Sequence, residues 1–194
     1  NPEHISAYTL TAEKGTELFS MILNKKLKMP KKAQEGKWFL KTHEILSRNG
    51  YQAYEISNFS KPGYECNHNL HYWNIEPYLA FGPSAHGFDG QYRWSNSRSL
   101  DQYISCILAG KSAISLREKI SAIGHINEKI GFGLRMKKGF AIKDIPKKYK
   151  MLIKSNIENA QEKYPDCINT KSNNITFTQK GMLYADELIP SILL

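Results

Sequence analysis

The sequence predicts an α/β fold in its first half and a small, mainly helical domain in its second half. In the first half, two strand-like segments at 4–10 and 51–57 flank a helical segment at 33–48. A strand, a crossover helix and a second strand form a βαβ unit, which implies a parallel pair of strands. Beyond residue 118 the predicted order is helix, short helix, helix, hairpin and helix. That order is typical of a winged-helix-like domain.

The early elements follow from residue type and apolar spacing. Segment 4–10 alternates and is rich in β-branched and aromatic residues, as strands are. A short helix is predicted at 16–24, and the longer helix at 33–48 ends at the stop signal Asn49–Gly50. The predicted inward face of the longer helix consists of Trp38, Phe39, Thr42, Ile45 and Leu46.

The middle of the chain is predicted to alternate between loops and short elements. A loop dense in aromatic and polar groups at 57–77 precedes a short strand at Tyr78–Phe81, a turn-rich stretch at Gly82–Gly87 and a strand at Tyr92–Trp94. A helix follows, because apolar residues recur at the spacing of one helix face, and it ends at Gly110. Its apolar stripe is Leu100, Tyr103, Ile104, Ile107 and Leu108.

Two helices and a single helical turn are predicted in the next stretch. The first helix spans 118–136, the helical turn spans 141–145, and Pro146 suits the first turn of the second helix. The residues expected to point inward are Ile120, Ile123, Ile126, Ile130 and Leu134 in the first helix, and Tyr149, Leu152, Ile153, Ile157 and Ala160 in the second.

A hairpin and a last helix complete the second half. Cys167–Thr170 and Ile175–Phe177 flank the turn-forming residues 171–174. Thr178 can cap a final helix that runs through Leu188.

The composition is that of a globular protein, and the length suits one medium domain or two small ones. Hydrophobic residues make up 41% of the chain and charged residues 23%, so disorder throughout is excluded. No apolar run is long enough to span a membrane. We expect domains at 1–112 and 113–194, with the boundary near Lys111–Ser115. Asn1 leads straight into a strand-like segment, which is typical of a cut within a larger protein.

The cysteines indicate a reducing compartment. Cys66, Cys106 and Cys167 are odd in number and widely spaced, which disfavours both a disulfide framework and a local metal knuckle. Reduced thiols are expected in the cytoplasm, and this is the predicted localisation.

The positive charge is concentrated in the second half. Residues 98–194 carry 16 Lys and Arg against 9 Asp and Glu, and seven lysines lie between Lys137 and Lys154. Such a patch can attract nucleic acid, anionic lipid or carboxylate-bearing ligands. The alternative is a solvated, lysine-rich face without a partner.

The densest group of chemically useful side chains is Cys66–Trp73. It holds two imidazoles, two amides, a thiol, a phenol and an indole within eight residues, on a predicted loop. Imidazole ligates iron, and Tyr or Trp offers a flat face to a planar ligand, so either His68 or His71 is a candidate axial ligand. The structural alternative is that Tyr72 and Trp73 are core aromatics and the histidines are surface groups.

Two further segments carry candidate ligand-facing residues. Gly82 and His86 belong to a turn expected at the C-terminal end of a strand, where ligands gather in parallel sheets. The alternative for His86 is a hydrogen-bonded histidine in a tight turn. Glu55 ends the preceding strand, either as a ligand-binding carboxylate or as a solvated charge. No hydrolase, Walker or metalloprotease motif is present.

Taken together, these segments resemble the HemW/HemN family of radical-SAM proteins. The resemblance covers nearly the whole chain and is strongest up to about residue 96. The matching segments are His4–Thr11, Tyr51–Gly63, His68–Trp73, Tyr78–Gly87 and Gly133–Gly139. The resemblance implies that residues 1–112 form the C-terminal strands and helices of a partial (β/α) radical-SAM barrel with a heme-motif loop. Residues 113–194 would then form the family's small winged-helix-like domain.

The resemblance also implies a function. The His-Asn-x-x-Tyr-Trp pattern of the HemW branch, associated with heme binding, is matched by His68, Asn69, Tyr72 and Trp73. It implies a chaperone that binds heme, with His68 as the expected iron ligand, and delivers it to apoproteins. The alternative is the HemN branch, an oxidoreductase that converts coproporphyrinogen III to protoporphyrinogen IX without oxygen in porphyrin biosynthesis.

One departure from the family pattern concerns the cofactors. The family's Cys-x-x-x-Cys-x-x-Cys motif, which binds a [4Fe–4S] cluster beside S-adenosylmethionine, does not occur in this chain. In the family it precedes the matched segments, so we expect a missing N-terminal radical-SAM half that supplies both cofactors. The other expected partners are heme or porphyrin and heme-accepting apoproteins, with heme propionates also candidates for the lysine patch. A nucleic-acid-binding winged helix is a third hypothesis, which leaves the first half without a role.

Overall fold

The computed structural model describes residues 1–194 and shows a mixed α/β chain of nine short strands and eight helices. The strands are β1 His4–Ser6, β2 Gln52–Ala53, β3 Asn58–Ser60, β4 His86–Phe88, β5 Tyr92–Asn96, β6 Ile114–Lys119, β7 Phe140–Ala141, β8 Ile168–Lys171 and β9 Asn174–Phe177. The helices are α1 Glu17–Leu23, α2 Lys32–Arg48, α3 Asn67–Trp73, α4 Leu100–Leu108, α5 Ala122–Arg135, α6 Lys147–Lys163, α7 Gln179–Leu183 and α8 Ala185–Ile192, with a 3-10 turn at Ile142–Asp144. None of the helices is long and apolar enough to cross a lipid bilayer.

The first sheet has the order β1-β3-β2, and both pairs are antiparallel. The predicted parallel βαβ pair is therefore wrong. The predicted strand at 51–57 is cut short because the chain reverses at Glu55, whose carboxylate accepts hydrogen bonds from Ser57 N at 2.9 Å and from Asn58 Nδ2 at 2.5 Å. After this reversal β3 returns between β1 and β2, which places the two predicted partners on opposite sides of it.

Helix α2 forms as predicted, but its buried face differs from the predicted one. Trp38 and Ile45 remain 54% and 49% exposed, whereas Gly36 and His43 are buried. The reason is Gly36, where an added Cβ would lie 3.2 Å from Cδ2 of Leu183. The missing side chain lets α7 approach α2, and this contact turns the face that carries Gly36 and His43 inward.

The second sheet, β4-β5-β6, is antiparallel and departs from prediction at both ends. The predicted strand at Tyr78–Phe81 is absent, and only Tyr78 makes a bridge, to Phe88. Strand β6 was not predicted, and the helix expected from 118 begins instead at Ala122, capped by Ser121. Because β6 pairs with β5, this sheet joins residues on both sides of the expected domain boundary, which stays a prediction.

Helix α4 also forms where it was predicted, but it buries none of its residues. Four of the five residues of its apolar stripe are exposed, Tyr103 being half-buried, and so are two residues of the segment that failed to form a strand. The most exposed of these are Leu79, Phe81, Leu100, Ile107 and Leu108.

The main core lies in the second half, where α5, α6, α8 and the β8–β9 hairpin enclose seventeen buried residues. The hairpin turns at Ser172 and Asn173, both with positive φ, as a two-residue type I′ turn requires. Thr178 accepts a hydrogen bond from Gly181 N and caps α7 as predicted, but the final helix breaks at Tyr184 into α7 and α8. Two residues predicted to point inward, Ile123 and Leu152, are instead 44% and 51% exposed.

Candidate functional site

A cavity of about 440 Å³ lies where the first half of the chain meets α5. This volume is within the usual range for small-molecule sites, roughly 300–1,000 Å³. Eight of the fourteen lining residues are hydrophobic, and aromatic rings dominate its wall. The lining aromatic residues are Tyr8, Tyr72, Trp73, Tyr78, Phe88 and Phe132.

The motif at 67–73 forms a short helix, α3, and not the predicted loop. Residues four apart share a helix face, so His68 stands beside Tyr72 and Asn69 beside Trp73. Tyr72 Oη and His68 Nε2 are 3.1 Å apart, and their rings meet edge-on at 4.9 Å. Tyr72 also packs edge-on against Tyr78 at 4.6 Å. The helix therefore aligns an exposed imidazole with an aromatic row that enters the cavity.

The other face of α3 is anchored to both halves of the chain. Asn69 Nδ2 donates to the hydroxyl of Tyr54 at 3.2 Å, and that hydroxyl also lies 2.9 Å from His4 Nε2. Burial raises the pKa of Tyr54, which keeps the phenol neutral. Trp73 meets Phe132 of α5 edge-on at 5.6 Å. These contacts fix the orientation of α3 at the cavity edge.

The two histidines of α3 differ in what their nitrogens contact. His71 Nδ1 lies 2.8 Å from the Glu76 carboxylate, and its Nε2 lies 2.7 Å from the Pro77 carbonyl oxygen. His68 uses only Nε2, towards Tyr72, and its Nδ1 makes no hydrogen bond. His68 is thus the imidazole of α3 with a free nitrogen, although its own side chain does not line the cavity.

The remaining sequence-derived candidates are separated by the structure. Glu55 lines the cavity but is only 3% exposed, and one oxygen of its carboxylate holds the chain reversal. Gly82 has a φ of 96°, and its carbonyl oxygen accepts a hydrogen bond from Asn96 Nδ2 at 3.0 Å. His86 is exposed on β4, and neither it nor Gly82 lines the cavity. The expectation that they end a parallel strand fails because the sheet is antiparallel.

Two arginines at the cavity were not singled out from the sequence. Arg93 of β5 donates to Glu128 of α5 at 2.6 Å, and its guanidinium lies 5.2 Å from the centre of the Phe88 ring. Burial is the largest single influence on the pKa of Arg93 and lowers it, but the hydrogen bond and charge of Glu128 together with Tyr78 outweigh burial, so the pKa is raised overall. Arg135, at the end of α5, donates to Asp186 at 2.7 Å. Both lie far in sequence from α3, and only Arg135 falls within a segment that carried the family resemblance.

The three cysteines do not form a metal site. Cys66 directly precedes α3, Cys106 lies on α4 and Cys167 is buried in the second-half core. No group of three or more His, Cys, Asp or Glu side chains could hold a metal ion.

Comparison with known proteins identifies relatives of about twice this length. No family model matches the chain. Heme chaperone HemW of Bacillus subtilis is 30% identical over 195 residues, which are 98% of this chain and 51% of that protein. Heme chaperone HemW of Buchnera aphidicola subsp. Schizaphis graminum is 44% identical over 87 residues, 45% of this chain and 22% of that protein. The chain thus spans about half the length of the Bacillus protein.

The structural comparison extends over the whole chain. The radical-SAM enzyme coproporphyrinogen III oxidase (HemN) of Escherichia coli matches 99% of this chain with a TM-score of 0.75, at 16% identity, and 48% of that protein is covered. At this identity the match establishes the fold, which is that of part of a radical-SAM protein. Together with the sequence matches to HemW proteins, it shows that this chain belongs to the HemW/HemN family.

Proposed function

We propose that this chain binds heme at α3 and the adjoining aromatic cavity, and holds it for delivery to apoproteins. The observation that carries the proposal is the free Nδ1 of His68, on a helix whose next turn presents Tyr72 to the cavity. Imidazole is a common axial ligand of heme iron, and aromatic rings pack well against a flat macrocycle. The name of the Bacillus subtilis relative, a heme chaperone, supports heme as the ligand.

In this proposal each residue of the α3 motif has one task. His68 ligates the iron, and Tyr72 and Trp73 pack against the macrocycle. Asn69 lines the cavity and holds α3 in place through Tyr54. The partners are the apoproteins that accept heme, and the proposed location is the cytoplasm, where the three free thiols would stay reduced.

The [4Fe–4S] cluster and S-adenosylmethionine have no matching residues here. The chain offers neither a cysteine triad nor another set of converging ligands. We therefore assign no step to these cofactors in this chain. We propose that they belong to the part of the longer relatives that the chain does not match.

The test is a heme titration of the full chain followed by absorption spectroscopy. A His68→Ala variant is expected to lose the spectrum of imidazole-ligated heme. His71→Ala is the matched comparison on the same helix, and it should keep that spectrum because both nitrogens of His71 are already occupied. An unchanged spectrum in His68→Ala would remove the iron-ligand assignment, and absence of heme binding by the wild-type chain would remove the proposed function.

A second candidate function is oxidation of a tetrapyrrole, favoured by the fold shared with the Escherichia coli oxidase. It predicts conversion of coproporphyrinogen III once a radical-SAM half with its cofactors is supplied. Anaerobic reconstitution that binds heme but forms no protoporphyrinogen IX would exclude the oxidase and leave the chaperone proposal intact.

A further inference from the structure

The aromatic cavity contains two cationic side chains, and they differ in how firmly they are held. Arg93 and Arg135 both line it, among residues that are mostly aromatic or aliphatic. A guanidinium at the wall of an apolar pocket is suited to a planar anion, because its parallel N–H groups match the two oxygens of a carboxylate.

Arg93 is held by an ion pair within the protein. Its contact with Glu128 is 2.6 Å long, and the two side chains are only 25% and 17% exposed. A ligand carboxylate near Arg93 would meet the negative charge of Glu128, whose Oε2 is buried and unpaired. Arg93 is therefore a structural residue of the interface between β5 and α5.

Arg135 is held by a partner that can be exchanged. Its Nη2 lies 2.7 Å from Asp186 Oδ1, and the Asp186 side chain is 88% exposed. Water competes for such an exposed carboxylate, so the ion pair adds little and can be replaced at little loss. A carboxylate carried by a ligand with its apolar part in the cavity would be less hydrated, and its bond to the guanidinium stronger.

We propose that Arg135 binds a carboxylate of the cavity ligand and releases Asp186 when it does so. The inference rests on the proposed function for the identity of the ligand, a heme whose propionates supply the carboxylates. It goes further by assigning Arg135 as the residue that selects a carboxylate-bearing macrocycle over a neutral one.

The experiment compares heme with heme dimethyl ester, in which both propionates are neutral, on the full chain at low salt. Arg135→Gln is expected to weaken heme binding about tenfold and to leave binding of the ester unchanged. Asp186→Asn removes the competing carboxylate and should tighten heme binding severalfold, again without effect on the ester. Arg117→Gln is the matched control, since Arg117 also pairs with an exposed aspartate but does not line the cavity.

The outcomes separate this inference from the proposed function. Equal affinity of the wild-type chain for heme and its ester, or equal losses for both ligands in Arg135→Gln, would overturn the role of Arg135 and leave heme binding standing. Failure of the wild-type chain to bind either ligand would overturn the proposed function and this inference together.

Discussion

At the residue scale, Gly87 leaves room for a large side chain on the neighbouring strand. Gly87 on β4 lies opposite Trp94 on β5, and the indole ring occupies the space that a side chain at Gly87 would need. Caps such as Thr16 and Thr178 act over three residues and were predictable from the sequence. The Gly87–Trp94 contact depends on the register of β4 and β5 and could not be predicted from the sequence.

Gly87→Ala is expected to lower the free energy of unfolding by roughly 2–3 kcal/mol, because the added methyl overlaps the rigid indole ring. Urea denaturation measures this change. Gly131→Ala is the control, since a Cβ there meets Ile189 at an ordinary 3.4 Å and the helix gains about 1 kcal/mol in propensity. Equal destabilisation in both variants would contradict the steric explanation.

Helices and strands were predictable where a local pattern determined them. Helices α1, α4 and α6 and the β8–β9 hairpin follow from capping, spacing and turn residues. The buried face of α2 could not be predicted in this way, because contacts with other elements determine that Gly36 and His43 are its buried residues. His43 lies between the rings of Phe39 and Phe59 at 4.4 and 4.7 Å, and its Nε2 is buried without a partner.

The packing of α2 is expected to make stability depend on pH through His43. Burial lowers the pKa of His43 below its usual 6.5 more strongly than its hydrogen bond to the Ile56 backbone raises it. The folded state therefore favours the neutral imidazole. The contribution of His43 to the free energy of unfolding is fully present above pH 6.5 and is lost as the pH falls below that value.

A His43→Phe variant should remove that part of the pH dependence, since phenylalanine cannot be protonated and suits the same aromatic surroundings. The measurement is the free energy of unfolding from pH 7.5 down to pH 5 in both proteins. An identical slope in the variant would show that other groups cause the acid sensitivity.

At the scale of the whole molecule, the site is built jointly by both halves of the chain. The HNxxYW motif could be read from the sequence, but its cavity could not, because Phe132, Arg93 and Arg135 join it only through tertiary packing. Helix α4 is a second case, because periodicity predicted the helix but not that most of its apolar stripe stays exposed. The Arg93–Glu128 pair connects the second sheet to α5.

Glu128→Ala is expected to destabilise the protein by roughly 2–3 kcal/mol, because it leaves the guanidinium of Arg93 partly buried without its partner. The double variant Arg93→Met with Glu128→Leu should recover most of that loss. Thermal and urea unfolding check both changes. If the free-energy changes of Arg93→Met and Glu128→Leu, each measured alone, sum to that of the double variant, a direct coupling between the two residues is contradicted.

Tyr54 links the ligand-facing helix to the second half through opposite ends of one residue. Its hydroxyl accepts a hydrogen bond from Asn69 of α3, and its backbone carbonyl oxygen accepts one from Lys137 N, just beyond α5. If heme binds at α3 as proposed, any shift of this helix would act on the same residue that holds the start of the lysine-rich stretch. Lys138 Nζ also donates to Asn74 Oδ1 at the C-terminal end of α3 at 2.6 Å, so α3 and the start of the lysine-rich stretch are held together at two points.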